Sequence, residues 1–174
     1  MTSIEELEVT IPIMENLAAD FQASLAQRSI LAELAGGEGS GAFAESIGNF
    51  AESQARTLLQ NAAGLVEELE IQEGVQAGPK VIDFGVKFGE EFVHLEAKYS
   101  LPRIGTAALD RLLGQAAAVL SESNTSRLVV WSLRSAPSSA ITAISEQIGM
   151  NSSRVVFVSG ITGLYEWVKA FVGQ

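Results

Sequence analysis

The chain changes its hydrophobic period several times, and each change marks an element. Leu7, Val9, Ile11 and Ile13 alternate with polar residues, which predicts a short strand or extended segment, with Pro12 suited to an edge. Residues 15–35 shift to a helical spacing through Leu17, Phe21, Leu25 and Leu31. The glycine-rich AGGEGSGA, Ala35–Ala42, interrupts that period. A second helix is predicted over 41–61, with Ile47, Phe50 and Leu58 on its apolar side. A strand follows over 66–73 around Leu69 and Ile71, with Gly74 and Gly78-Pro79 bracketing a turn region.

The stretch VIDFGVKFGEEFVHLEAKY, Val81–Tyr99, predicts two strands around Gly89-Glu90. Glycine at the first central position suits a two-residue type II′ hairpin. Phe88 then faces Glu91, Val86 faces Val93, Phe84 faces Leu95, and Asp83 faces Glu96. Strict alternation puts Ile82, Phe84, Val86, Phe88, Val93, Leu95, Ala97 and Tyr99 on a core face. Asp83, Glu96, Lys98, Lys87 and His94, the one histidine, share the other face. Downstream, the pattern predicts a helix over 106–120, a strand over 127–134, a helix in SSAITAISEQIG, a strand in RVVFVSG and a closing helix. The order is helix, three strands, helix, strand, helix, strand, helix. An antiparallel meander with parallel additions makes an α/β fold, a mixed central sheet flanked by helices.

Composition narrows the function classes. The 174 residues suit a single core and contain no cysteine, which excludes disulfides and thiolate metal sites. No run of 18 uncharged apolar residues occurs, and MTSIEELEVT lacks the basic start and apolar stretch of a signal peptide. The expectation is a cytoplasmic chain with no membrane span. The net charge of −10 is unlike that of a nucleic-acid binder. Its distribution is uneven: residues 1–79 hold 13 acids and 2 bases, whereas residues 80–134 hold 6 acids and 7 bases. The acidic segment is either a solubilising surface or a docking surface for a protein partner.

Directly opposed side chains in an antiparallel pair have Cβ atoms about 4.5–5.5 Å apart. Two carboxylates at that spacing repel by roughly 3 kcal/mol at an effective dielectric near 20. A hard divalent cation offsets that cost, because Mg²⁺ takes oxygen ligands and needs only one or two carboxylates plus water. A nearby lysine also lowers it. The alternative is the wet face of an amphipathic sheet, where such residues are ordinary. Gly37, Gly39 and Ala42 fit a G-x-G-x-x-A dinucleotide fingerprint, but a helix precedes them where a strand is required. There is no P-loop and no G-x-S-x-G.

The αβββαβ order, with Asp83 on the second strand and Glu96-Ala97-Lys98 on the third, resembles the PD-(D/E)XK, or restriction endonuclease-like, nuclease superfamily. The resemblance covers about residues 41–134. It implies a nuclease-like domain over 41–174 and an acidic N-terminal strand-helix extension over 1–40. Ile82 stands where the family motif has proline. The family's additional acid on the first helix is matched by Glu52, with Glu45 as alternative, and its glutamine after the third strand by Gln115.

The implied activity is Mg²⁺- or Mn²⁺-dependent phosphodiester hydrolysis, with DNA preferred over RNA. Asp83, Glu96 and the Ala97 carbonyl would be the metal ligands, and Lys98 would act on the attacking water or the developing charge. Lys87, Arg103 and Arg111 are candidate phosphate contacts. The competing expectation is an inactive nuclease-like fold that binds a protein through its acidic N-terminal region. A Ser-His-Asp hydrolase would have to use His94 and has no nucleophile elbow.

Overall fold

The computed structural model describes residues 3–34 and 40–173, and the side chains of 3–28 and 45–173. Gly37 and Gly39 lie outside the described residues, as does the side chain of Leu31. A 3-10 helix, Ile4–Val9, leads into α1, Ile11–Leu34, and α2, Ser40–Leu65. Three strands follow: β1, Leu69–Ala77; β2, Lys80–Phe88; β3, Glu91–Lys98. Then come α3, Ala107–Leu120; β4, Leu128–Ser132; α4, Ser138–Ile148; β5, Val155–Ser159; and α5, Gly160–Val172.

The five strands form one sheet in the order β1-β2-β3-β4-β5. The first three pair antiparallel, and β3-β4 and β4-β5 pair parallel. The mixed α/β sheet therefore has the meander and the parallel additions that its element order predicts. Gly89 has φ +61 and, among the described residues, no non-glycine residue has positive φ, so the β2-β3 turn takes the type II′ form. The ladder runs from Phe88↔Glu91 to Phe84↔Leu95, in the expected register.

Two apolar layers flank the sheet. Phe84, Val86, Val93, Leu95 and Trp131 face a large cluster with α2, α5 and the N-terminal helices. Ile82, Leu128 and Val130 face a smaller cluster with Leu112, Ala116 and Val119 of α3. The buried Trp131 indole donates to the Gly160 carbonyl at 2.7 Å, which satisfies its one polar atom.

Three sequence expectations change. The segment around residues 6–13 is helical, not extended. Its buried residues are Ile4, Leu7, Ile11, Met14 and Ala18, a three-four spacing that defines one helical stripe. Val9 and Ile13 from the apparent alternation are 75% and 61% exposed. Pro12 is accommodated in the first turn of α1, where a missing N–H costs nothing. Secondly, Gly74 lies inside β1, and the β1-β2 turn is Gly78-Pro79 between the paired Ala77 and Lys80.

Thirdly, Ile82 leaves the face of Phe84 and Val86 and joins the α3 layer. β1 makes the same change, from Leu69 in the first cluster to Ala77 in the second. The β1-β2 ladder pairs Glu73 with Phe84 and Val75 with Ile82, and skips Gly74 and Asp83 between them. Gly74 has φ +63, a left-handed conformation that reverses the pleat there.

The N-terminal helices share the main core. Ile4, Leu7, Ile11, Met14 and Ala18 belong to the cluster that contains Leu164, Tyr165 and Val168 of α5. Tyr165 donates its hydroxyl to Glu8 at 2.9 Å, and Thr162 donates to Glu15 at 2.6 Å. Leu7→Ala is therefore expected to destabilise the whole domain by about 2–4 kcal/mol. Urea unfolding should show one cooperative transition at a lower midpoint. An unchanged midpoint would mean that this segment is a separate attachment.

Candidate functional site

The site is built where the β2-β3 ladder stops, one pair short of Asp83 and Glu96. Side chains replace the missing backbone bonds. The Asp83 N–H donates to Glu96 Oε1 at 3.0 Å, and the Ala97 N–H donates to Asp83 Oδ2 at 3.0 Å. Each carboxylate thus caps the backbone of the other's strand. The clasp holds both acids where the β2-β3 ladder ends, with Gly74 of β1 alongside the break.

Glu96 is 4% exposed, and a buried carboxylate needs partners. Lys98 Nζ lies 3.0 Å from Glu96 Oε2. Gln115 of α3 donates through Nε2 to the same oxygen at 3.0 Å and to the Val81 carbonyl at 3.3 Å. The other amide atom, Gln115 Oε1, is buried and has no partner among the described residues. A vacant acceptor beside a charged pair is suited to a water.

From the opposite layer, α2 brings in Glu52 and Arg56, paired at 3.2 Å, and Arg56 also bonds Glu73 of β1. The Arg56 guanidinium is held above its ordinary pKa, first by its bond to Glu73 and then by the charges of Glu73, Glu52 and Asp83. The Asp83 carboxyl is pushed up to about 7. Burial is the main cause and the Glu96 charge the next. The Ala97 N–H opposes them, and the Glu52 charge adds to them.

Asp83, Glu96, Lys98 and Gln115 are brought together in one hydrogen-bonded set, and Glu52 stands close enough to act on Asp83 by its charge. Glu45 is exposed on α2 and makes no ion pair or side-chain hydrogen bond among those described. His94 is buried rather than solvated. It sits edge-on to Phe92 at 4.9 Å and lines a different cavity, of about 400 Å³, with Glu122 and Ser123. Burial lowers its pKa. Lys87 pairs with Phe92 toward the hairpin turn, and Arg111 is exposed on α3. Only Arg103 of these expected phosphate contacts borders a groove that also reaches Lys98. Arg56 was not singled out from sequence, and Gly74 was read there only as one edge of a turn region. A glycine inside a strand pattern was the available signal for the latter.

Among the described residues, no group of three or more His, Asp and Glu side chains is placed to hold a metal. Two carboxylates with a backbone carbonyl would be a smaller donor set, of the kind that suits a hydrated Mg²⁺. The Ala97 N–H points to β2, and in an extended strand the carbonyl of the same residue points to the same side. Asp83, Glu96, Glu52 and Glu73 with Lys98 and Arg56 leave a formal charge of −2, which one divalent cation would neutralise. The residues fit such an ion.

Comparisons of the chain with protein-family models, curated proteins and solved structures found no significant match.

The raised Asp83 carboxyl predicts a pH-dependent stability. Between about pH 4, where the unfolded carboxyl titrates, and about pH 7, the folded chain holds a proton that the unfolded chain has released. Stability attributable to this group therefore falls as pH rises through that window. Asp83→Asn removes the charge and keeps an acceptor for the Ala97 N–H. The variant should exceed the parent by about 1–2 kcal/mol at about pH 8, with little difference near pH 4, in denaturant titrations. A variant no more stable at the higher pH would refute mutual destabilisation of the pair.

Proposed function

We propose that the chain is a metal-dependent phosphodiesterase that cleaves nucleic acid, DNA in preference to RNA, with a PD-(D/E)XK-type site on a restriction endonuclease-like fold. The observation that carries this reading is the Asp83–Glu96 clasp with Lys98 and Gln115 on the Glu96 carboxylate. A solvated sheet face gives no reason to bury a glutamate at 4% exposure and set a second acid across from it. The αβββαβ order with its antiparallel meander and parallel fourth strand supports the fold assignment.

Asp83, Glu96 and the Ala97 carbonyl would hold Mg²⁺ or Mn²⁺, which would supply polarisation of a phosphoryl oxygen and a more acidic water. The chain's own part is positional and electrostatic. Gln115 and the Asp83 N–H hold the Glu96 carboxylate from two sides, so its direction is set before substrate arrives. Lys98 keeps a cation beside that carboxylate, where it orients an attacking water and offsets charge that develops on the phosphate. Gln115 Oε1 can accept a hydrogen bond from the same water. Glu52 adds negative potential at Asp83 and is the candidate for a second, outer acid.

The second reading is a nuclease-like fold without activity that binds a protein through its N-terminal region. Val9, Ile13 and Leu17 favour it, since they form an exposed apolar row at four-residue spacing beside Glu6 and Asp20.

Calorimetric titration of Mn²⁺ into wild type and Glu96→Gln separates the two. The wild type should bind and the variant should lose at least about tenfold in affinity. Binding to wild type should weaken as pH falls below about 7, because the ion competes with the Asp83 proton. Lys98→Ala should retain the fold and lose about 100-fold or more in divalent-dependent cleavage of plasmid DNA. Unchanged cleavage by purified Lys98→Ala protein would sink the assignment.

A further inference from the structure

Two grooves meet at the end of the sheet where β3 and β4 stop and α3 and α4 begin. One, of about 440 Å³, is lined by Lys98, Tyr99, Arg103 and Thr106 with Ile47 and Gly48 of α2. The other, of about 380 Å³, is lined by Arg103, Ile104, Arg134, Pro137, Ala140 and Ile144. Arg103 belongs to both, and the segment 100–103 is a wall common to the two grooves. Crevices at the carboxyl ends of parallel strands are the usual ligand position in open α/β sheets.

Their charge is opposite to that of the rest of the molecule. The chain carries −10, yet neither groove has an Asp or Glu among its lining residues. Four of the cations outside the grooves are engaged elsewhere. Arg56, Arg127 and Lys169 form ion pairs, and Arg154 donates to the carbonyls of Leu120, Ser123 and Ser126. Arg103 and Arg134 are exposed and form no ion pair among the described residues. Their backbones are nonetheless fixed. Thr106 donates its hydroxyl to the Arg103 carbonyl at 2.6 Å. The Arg134 N–H donates to the Tyr99 carbonyl at 2.9 Å, and Ser132 donates its hydroxyl to the Arg134 carbonyl at 2.9 Å. Ile104, 55% exposed, projects from the same loop.

We infer that this double groove is the track for the phosphodiester backbone of a nucleic-acid strand, with Arg103 and Arg134 as its phosphate contacts and Lys98 at its inner end. Two guanidinium groups on fixed backbones, with free side chains and no competing acid, suit phosphate oxygens bidentately. The starts of α3 and α4 add partial positive charge at the same edge, as a supplement to the arginines. The track names the substrate surface of the proposed nuclease site and rests on that reading for its biological meaning. Its affinity does not depend on catalysis, and that separates the two tests.

The probe is a fluorescein-labelled 20-base-pair DNA duplex, followed by anisotropy in EDTA over a series of salt concentrations. Arg103→Gln/Arg134→Gln should lose about tenfold or more in affinity, and the slope of log K against log salt should shrink by about 2. Arg127→Gln/Lys169→Gln removes the same charge elsewhere and should stay within about threefold of wild type. Glu96→Gln should bind at least as well as wild type. If that pattern holds while no condition supports cleavage, the track stands and the nuclease reading falls. Equal losses in the two double variants, or no saturable binding by wild type at low salt, would overturn the track.

Discussion

Everything at the proposed site depends on one exchange, in which two carboxylates take the place of two backbone acceptors at the end of a hairpin. Continued antiparallel pairing would have given the Ala97 N–H the Ile82 carbonyl as its acceptor, since the hydrogen-bonded pairs alternate from Phe88↔Glu91. Here each main-chain donor, at Asp83 and at Ala97, finds the opposite strand's side chain instead. The backbone stays satisfied, so the sheet end does not pay for an orphaned N–H. The acids remain held against each other, and the Asp83 carboxyl is raised to about 7 as a consequence. Stability is given up locally to keep a concentrated negative site.

The surrounding fold supports that exchange from three directions. Gly74 reverses the pleat of β1 opposite Asp83, so β1 and β2 change face together and the ladder skips the acid. From α3, Gln115 reaches across to the Glu96 carboxylate. From α2, Glu52 and Arg56 set the charge on the other side of Asp83. The N-terminal helices contribute at a distance, since Phe21 stacks on Phe50 of α2 at 3.8 Å and lies edge-on to Tyr99 at 6.0 Å. The site is a junction of both apolar layers with the sheet between them.

Much of this was legible in the sequence. Periodicity located the helices and strands after residue 41, because those elements bury one face and expose the other. The hairpin register followed from Gly89-Glu90, since a two-residue turn leaves one alignment in which both apolar rows face the core. That register alone placed Asp83 across from Glu96, and the spacing of Glu96 and Lys98 put both side chains on one side of β3. Gln115 was legible as a position on the next helix.

Tertiary structure decided the rest. The alternation of Leu7, Val9, Ile11 and Ile13 is a strand pattern by local reading, and contact with α5 selected a helix with Ile4, Leu7, Ile11 and Met14 inward. Ile82 and Ala77 have the parity of one face and lie on the other, because Gly74 turns the strands between them. A glycine permits that turn, and only the paired strand shows that it is used. The partners of the buried carboxylate come from segments far apart in the chain, so local pattern determined which residues could be acids on a strand and long-range packing determined that they became a site.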